Sequence, residues 1–465
     1  MRPAVFTAGR QHLNPVIIPL TSFDLGRFSS EQIRISRRWF FLGVFSLIAS
    51  GIFSLLLVLS RTPAVSEFIP WIDFFHTALV VHVDLSVLIW FLSFTALFWS
   101  LNNRKPANGI DNLALLLTLA GTLLIIITPF SGQAHPVINN YIPVLNDPMF
   151  LTGLLLVGVS MVILSLRSLL INTLPDIRQP QGVIRVAIYL SVITLIFTLL
   201  AQLLSYLGLP ASDDAHSYYE FLFWGSGHTL QFSHTLLLLV AWLWLSQAIG
   251  APARFKPLTY SALFFVCFIP VLAVPFIYLN STILSPEHRF YFTELMRFGG
   301  LSAVPLGLLL AANIFVASSS EPIHRPLRSA FISSVVLFAS GGILGFMISG
   351  VNVVIPAHYH GSIVGVTLAF MGMSYLLLPV FGYQAPSGKL AIYQPIIYAS
   401  GQMMHIIGLA WSGGYGVQRK TAGAAQGLDS LAQKAGMGLM GLGGLVAIIG
   451  GVIFLIIILR AVYRK

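Results

Sequence analysis

A single cysteine, Cys267, stands in a chain of 465 residues. One thiol cannot make an intramolecular disulfide, a cysteine zinc site or an iron–sulfur cluster, and no C-x-x-C-H run exists to attach a c-type haem. Charge is equally scarce. Only 9% of residues are Asp, Glu, Lys or Arg, against about 25% in an ordinary soluble domain. What fills the chain instead is apolar, at 56% hydrophobic residues. These proportions describe a polytopic membrane protein, and they exclude a string of soluble domains. Residues 1–37 are polar and basic, without the apolar core of a cleavable signal peptide. The formal net charge of +10 does not require nucleic acid, because its placement in loops is explained by topology.

Apolar runs long enough to cross a bilayer, which takes about 20 residues, fall at roughly 39–60, 73–100, 112–130, 148–171, 185–208, 217–248, 258–281, 290–317, 328–349, 354–382, 391–412 and 437–461. The expected fold is therefore all-α, a bundle of twelve transmembrane helices. It divides into a cytoplasmic N-terminal segment, 1–38, and one transmembrane domain, 39–465. Linkers such as "LNNRKPANGID", "LPDIRQPQG" and "GAPARFKP" are short and rich in Pro, Gly and Asn. No internal repeat is visible, which weighs against a repeat-built transporter.

Arg34, Arg37 and Arg38 before the first run, then Arg104, Lys105, Arg178, Arg254, Lys256, Arg325, Arg328 and Lys389, occupy alternate loops. Loops 131–147, 209–216 and 350–353 carry no Lys or Arg. Positive-inside bias then puts both termini in the cytoplasm. One outer loop, "GGYGVQRKTAG", breaks the pattern with Arg419 and Lys420 and asks for a local anionic partner.

Histidines are the chemistry-bearing residues. "PAHYHGSIVG" places His358 and His360 two residues apart. At about 100° per residue they point to nearly opposite faces of a helix, so they suit two separate partners. At 1.5 Å per residue His82 and His228 lie about 15 Å below the outer surface, with His358 and His360 slightly shallower. Four imidazoles from three non-adjacent runs thus share one outer-half layer, as haem or a transition metal requires. Arg419 and Lys420 lie above it, where haem propionates would project. His82 and His360 are placed to sandwich one haem as a low-spin iron. His358, on the other face, is placed to hold a second with an open position that His228 faces.

The stretches "LVVHVDLSVLIWFL", "FLFWGSGHTLQF", "SGGILGF", "IPAHYHGSIVGVTLAFMGMSYLLLPVFG" and "MMHIIGLAWSGGYGVQRKTAG" resemble subunit I of the haem-copper oxygen reductases, the B-family members most. The resemblance implies His82 and His360 as low-spin haem ligands, His358 as proximal ligand of a high-spin haem, and His228 as a copper ligand. Arg419 and Lys420 match the basic pair near the propionates. It implies a respiratory terminal reductase in a bacterial or archaeal cytoplasmic membrane. Such a subunit takes electrons from a periplasmic donor, a subunit II-like or cytochrome c-type protein, to a gas ligand such as O2 or NO. The family's adjacent histidine pair is missing. Its place falls on Leu279 and Asn280, or on Ile277 and Tyr278, and Phe232 stands where the family has a tyrosine. Two haems are therefore expected and copper is doubtful. The rival readings are a copper-less diheme electron-transfer or gas-binding relative, and a haem-free transporter.

The other candidates have plainer readings. His288 reads as a loop residue, His234 as meeting a neighbouring helix, His405 as a hydrogen-bonded core residue, and His76 and His135 as interfacial or solvated. Asp84 and Glu294 read as proton relays or as helix–helix hydrogen bonds. The Gly-rich "GMGLMGLGGLVAIIGG" reads as a surface for close helix packing.

Overall fold

The computed structural model describes residues 23, 25–26, 28–59, 74–132, 134–317, 321–419 and 427–463. In lipid every backbone polar group must be satisfied within its own segment, so apolar runs of this length can only become helices. Among the described residues eleven helices are long and apolar enough to cross a membrane. They are α1 (Ser30–Leu59), α2 (Phe74–Asn102), α3 (Gly109–Ser131), α4 (Pro148–Ile171), α5 (Pro180–Gly208), α6 (Ala215–Ala248), α7 (Pro257–Asn280), α8 (Pro286–Phe315), α9 (Pro322–Phe346), α10 (Val354–Leu377) and, at the C-terminal end, α12 (Leu431–Tyr463). The twelfth, α11 (Gly388–Gly414), has 27 residues. Its polar residues lower its hydropathy, and they are used internally: Gln394 accepts from Tyr375 Oη at 2.8 Å and donates to Gly450 O at 3.1 Å.

The sequence marks where helices begin. Asn108 and Asp111 form a reciprocal capping box at α3. Asp147 precedes Pro148 and accepts from Met149 N and Phe150 N at the start of α4. Asp214 accepts from His216 N and Ser217 N at α6, and Ser285 precedes Pro286 and accepts from His288 N at α8. Each cap satisfies amides that the first turn cannot pair. Hydrogen bonds from Ser217, side chain then backbone, also hold the Asp214 carboxyl below its ordinary pKa.

Consecutive helices pack as neighbours, α3 with α4, α5 with α6, α9 with α10 and α11 with α12. The last pair is held by small residues. A β-carbon on Gly408 would lie against Met440 N and Gly436 O, and one on Gly443 against His405 N and Gly401 O. That is the close approach the Gly-rich run predicts, and it lets backbones make the dispersion contacts that drive helix association in lipid.

Three helices form the centre. The apolar windows of α2, α6 and α10 are 72%, 83% and 83% buried, against 17% for α8. Phe94 of α2 stacks on Phe370 of α10 with ring centroids 4.7 Å apart, and Phe91 meets His234 of α6 edge-on at 5.0 Å. These three are the helices that carry His82, His228, His358 and His360, so the bundle's core also positions its histidines.

Candidate haem site

His82 leaves α2 two residues before its helical geometry widens. Residues Asp84–Ile89 form a π-helical turn before the α-helix resumes at Trp90, a departure that concentrates at functional positions. His82 Nδ1 lies 3.0 Å from Ser50 O and 2.9 Å from Ser50 Oγ on α1. A carbonyl only accepts, so Nδ1 carries the proton and Nε2 keeps its lone pair. His358 repeats the arrangement. Its Nδ1 donates to Gly341 O of α9 at 2.7 Å, again leaving Nε2 as the lone-pair nitrogen. Room for this ring comes from a glycine, since a β-carbon on Gly345 would come within 2.7 Å of His358 Nδ1. Fixing one ring nitrogen on a backbone carbonyl sets the tautomer and orientation that a metal ligand needs.

His360 faces the other way, as its spacing requires. Its ring centroid is 4.7 Å from that of His405 on α11, and the titratable groups bearing on it are His405 and His82. Among the described residues neither of its nitrogens makes a hydrogen bond. His405 itself donates Nδ1 to Met440 O at 3.0 Å and is a hydrogen-bonded core residue. His82, His358 and His360 are only half-buried, although α10 from Val364 to Leu377 is wholly buried. Open space therefore lies beside these three rings.

Arg419 follows α11, donating to Asn140 Oδ1 of the loop between α3 and α4 at 2.6 Å, while its buried Nε has no partner among the described residues. Tyr359 is among the groups it influences. A buried guanidinium N–H with no acceptor among the described residues suits an anionic group. Lys420, its sequence companion, lies outside the described residues.

His228 is different. Its Nδ1 donates to Trp224 O at 2.7 Å, so its Nε2 is the acceptor, and Tyr141 Oη occupies it at 2.7 Å. Both nitrogens are used. Aromatic rings enclose the imidazole, with Tyr141, Trp224 and Phe292 centroids at 4.6, 4.8 and 5.7 Å. The "WGSGH" run explains the fit: a β-carbon on Gly225 would strike Tyr278 Oη and Phe292, and one on Gly227 would strike the Tyr141 ring. Tyr141 comes from the loop between α3 and α4. That loop is held by the short strands β1 (Pro136–Val137) and β2 (Val144–Leu145) and by Asn140, whose amide and side chain both bond Glu220. Burial, then the Glu220 carboxylate, raises the Tyr141 hydroxyl above its ordinary pKa, so it remains a donor.

Three sequence expectations change here. His288 is no loop residue: it lies in the first turn of α8, fully buried, because Ser285 and Pro286 start that helix early. Its Nδ1 is 3.0 Å from Ser281 Oγ and its Nε2 has no partner. Asp84 is 1% exposed with Oδ2 unpaired, and Glu294 pairs only with Arg297 of its own helix, so among the described residues neither makes a helix–helix hydrogen bond. Tyr141, by contrast, went unnoticed, since one aromatic in a loop of Pro, Asn and Val carries no signal. Among the described residues no three His, Cys, Asp or Glu side chains come together as a metal cage. A metal on His228 Nε2 would need its hydrogen bond with Tyr141 broken and further donors brought in.

Residues 34–453 match the family of cytochrome c and quinol oxidase polypeptide I. The chain belongs to that family. It is 30% identical to an uncharacterised protein of Rickettsia prowazekii (strain Madrid E), over 92% of this chain and 96% of the relative. An uncharacterised protein of Aquifex aeolicus (strain VF5) is 28% identical over 77% of this chain and 88% of its own. Among solved structures a haem-copper terminal oxidase dimer aligns with a TM-score of 0.67 at 16% identity, covering 94% of this chain and 85% of that one. The fold is thus that of a haem-copper oxidase subunit I, and members of the family generally bind haem.

Proposed function

We propose that this family member carries two haems, a low-spin one on His82 and His360 and a high-spin one on His358, with Arg419 and Lys420 at their propionates. The observation that supports this reading best is the matched chemistry of His82 and His358: each gives its Nδ1 proton to a backbone carbonyl and keeps Nε2 free toward open space. When bound, haems supply one-electron transfer and, at an iron with a vacant position, capture of a small gas molecule. The chain's own part is to orient its imidazoles through Ser50 and Gly341, to hold a cation at the outer rim, and to exclude water with Phe91, Phe94 and Phe370 beneath the layer. Electrons would come from a periplasmic subunit II-like or cytochrome c-type donor and go to a ligand such as O2 or NO. The setting is a bacterial or archaeal cytoplasmic membrane, with both termini inside and residues 39–465 as one haem-binding domain.

The residues around His228 do not fit a copper ion, because Tyr141 Oη occupies its Nε2 and, among the described residues, no second and third ligand converge beside it. This favours a copper-less relative, passing electrons or binding a gas, over a full terminal oxidase. The test is a visible spectrum of the purified protein together with its iron and copper content. Two haems with low- and high-spin components uphold the reading, and a colourless protein ends it.

A further inference from the structure

Helix α6 is buried from Leu222 to Ala248 except at Leu230, Gln231 and Thr235, which are half-buried. At about 100° per residue, Gln231 and Thr235 lie within about 20° of Trp242, so the three share one face. Trp242 shows where that face looks. Its Nε1 donates to Ser334 Oγ of α9 at 2.8 Å, and its ring meets Phe338 of α9 edge-on at 5.7 Å. Ser334 in turn donates to Gly365 O of α10 at 2.6 Å. Counted from this level toward the N-terminal end of α6 at 1.5 Å per residue, Thr235 lies at about 10 Å and Gln231 at about 16 Å. On α9, Gly341 and Gly345 lie at about 10 and about 16 Å in the same direction. Those two glycines are the residues that hold the His358 ring. Gln231 and Thr235 therefore border the open space beside His358 from the α6 side.

The polar groups of this wall differ in what they can still donate. His228 has given its proton to Trp224 O, and Tyr141 gives its own to His228. Thr235 Oγ1 donates to Gln231 O at 2.8 Å. Gln231 has two N–H groups on Nε2. Its backbone acceptor, Gly227 O, is 3.5 Å away, beyond the usual N–H···O range of about 2.7–3.2 Å. The other polar group it reaches is the Tyr141 hydroxyl. A bond as long as that to Gly227 O yields readily to a better acceptor. We propose that the Gln231 amide donates a hydrogen bond to the far atom of a diatomic ligand held at the His358 haem, and so favours ligands whose far atom accepts one. The proposal rests on the haem reading above. O2 and cyanide belong to that class. Carbon monoxide, whose oxygen accepts weakly, gains little.

The test uses the purified full-length holoprotein as wild type, Gln231→Leu, Gln231→Met and Thr235→Val. Leu and Met both lack a donor but differ in shape, so either well-folded variant reads the result. Reduced samples are bound to carbon monoxide, and oxidised samples are titrated with cyanide. In the Gln231 variants cyanide affinity should fall about two- to tenfold, the worth of one hydrogen bond. The infrared C–O stretch of bound carbon monoxide should rise, while carbon monoxide affinity changes by less than about twofold, near the lower end of what one hydrogen bond supplies. Thr235→Val should match wild type in all three measurements. A carbon monoxide difference spectrum of the wild type, taken first, separates the two claims. A wild type that binds no carbon monoxide fails the haem reading, and this proposal with it. Carbon monoxide bound by wild type and variants alike, with cyanide affinity and C–O stretch unchanged, overturns the hydrogen bond alone. Equal shifts in Thr235→Val would also overturn it, because they would report the shape of the pocket and not the amide.

Discussion

Tyr141 Oη is 2.7 Å from His228 Nε2, and the opposite ring nitrogen is fixed on Trp224 O. Both nitrogens of the imidazole are therefore hydrogen-bonded, and it bridges α6 and the loop between α3 and α4. The same loop is tied through Asn140 to Glu220 and Arg419. One polar chain thus links Arg419, Asn140 and Glu220 to the Tyr141–His228 pair.

Tyr141→Phe keeps the ring but strips the hydroxyl from a buried acceptor, which costs about 1–3 kcal/mol. Thermal unfolding of the purified variant should show a lowered midpoint. Adding His228→Leu to Tyr141→Phe should cost less than the two single effects summed, because the second change removes the group left unpaired. Full additivity would mean that the contact does not exist in the folded protein.

The two faces of α10 separate the haem predictions. His82→Ala and His360→Ala should each abolish the low-spin signature and leave a high-spin component. His358→Ala should do the reverse. Ser50→Ala should retain the low-spin signature, since the acceptor at 3.0 Å is the Ser50 carbonyl, which the substitution leaves in place. Optical and electron paramagnetic resonance spectra read all four. Low-spin signals unchanged in both His82→Ala and His360→Ala would refute the assignment.

Asp214 gives a pH dependence outside the membrane. Its pKa is depressed in the folded chain by bonds from Ser217, so the cap stabilises fully above the unfolded value of about 3.9. That contribution is lost as pH falls through the lower, folded value. Asp214→Asn keeps a capping oxygen without the ionisation. Unfolding midpoints of the two proteins should converge as the pH drops below about 4 and stay separated at neutral pH. A separation independent of pH would remove the charge from the account.

Much of this was legible in the chain because lipid leaves so few choices. Apolar runs became helices, and the two-residue spacing of His358 and His360 placed them on opposite faces as helical geometry requires. Helix α11 was legible by its length, though Gln394 and His405 dilute its hydropathy. What stayed hidden depended on contacts distant in sequence. Nothing local announces that Tyr141 folds down onto His228, across a separation of 87 residues. The widening at Asp84–Ile89 was likewise hidden, since "DLSVLI" reads as ordinary helix. His288 was a different kind of miss, because Ser285 and Pro286 are a recognisable helix start.

The distal side yields the last prediction. Copper is held firmly when several imidazoles converge on it, and even losses behind the ligands lower affinity about 10–100-fold. Here His228 has no free nitrogen. Tyr278 Oη donates to Ala201 O at 2.9 Å and meets Ser205 Oγ at 2.8 Å. His288 keeps one unpartnered nitrogen, but the ring of Phe292 packs against both imidazoles, at 5.0 Å from His288 and 5.7 Å from His228. Tyr141→Phe frees a single lone pair, which is too little for a stable copper site. Metal analysis of wild type and of Tyr141→Phe should therefore give far less than one copper per two haems. Treatment with a copper chelator should leave carbon monoxide binding at the His358 haem unchanged, because that needs only an open iron position. One copper per two haems, held by this chain and lost together with carbon monoxide binding on chelation, would show that His228 gives up Tyr141 when the metal arrives.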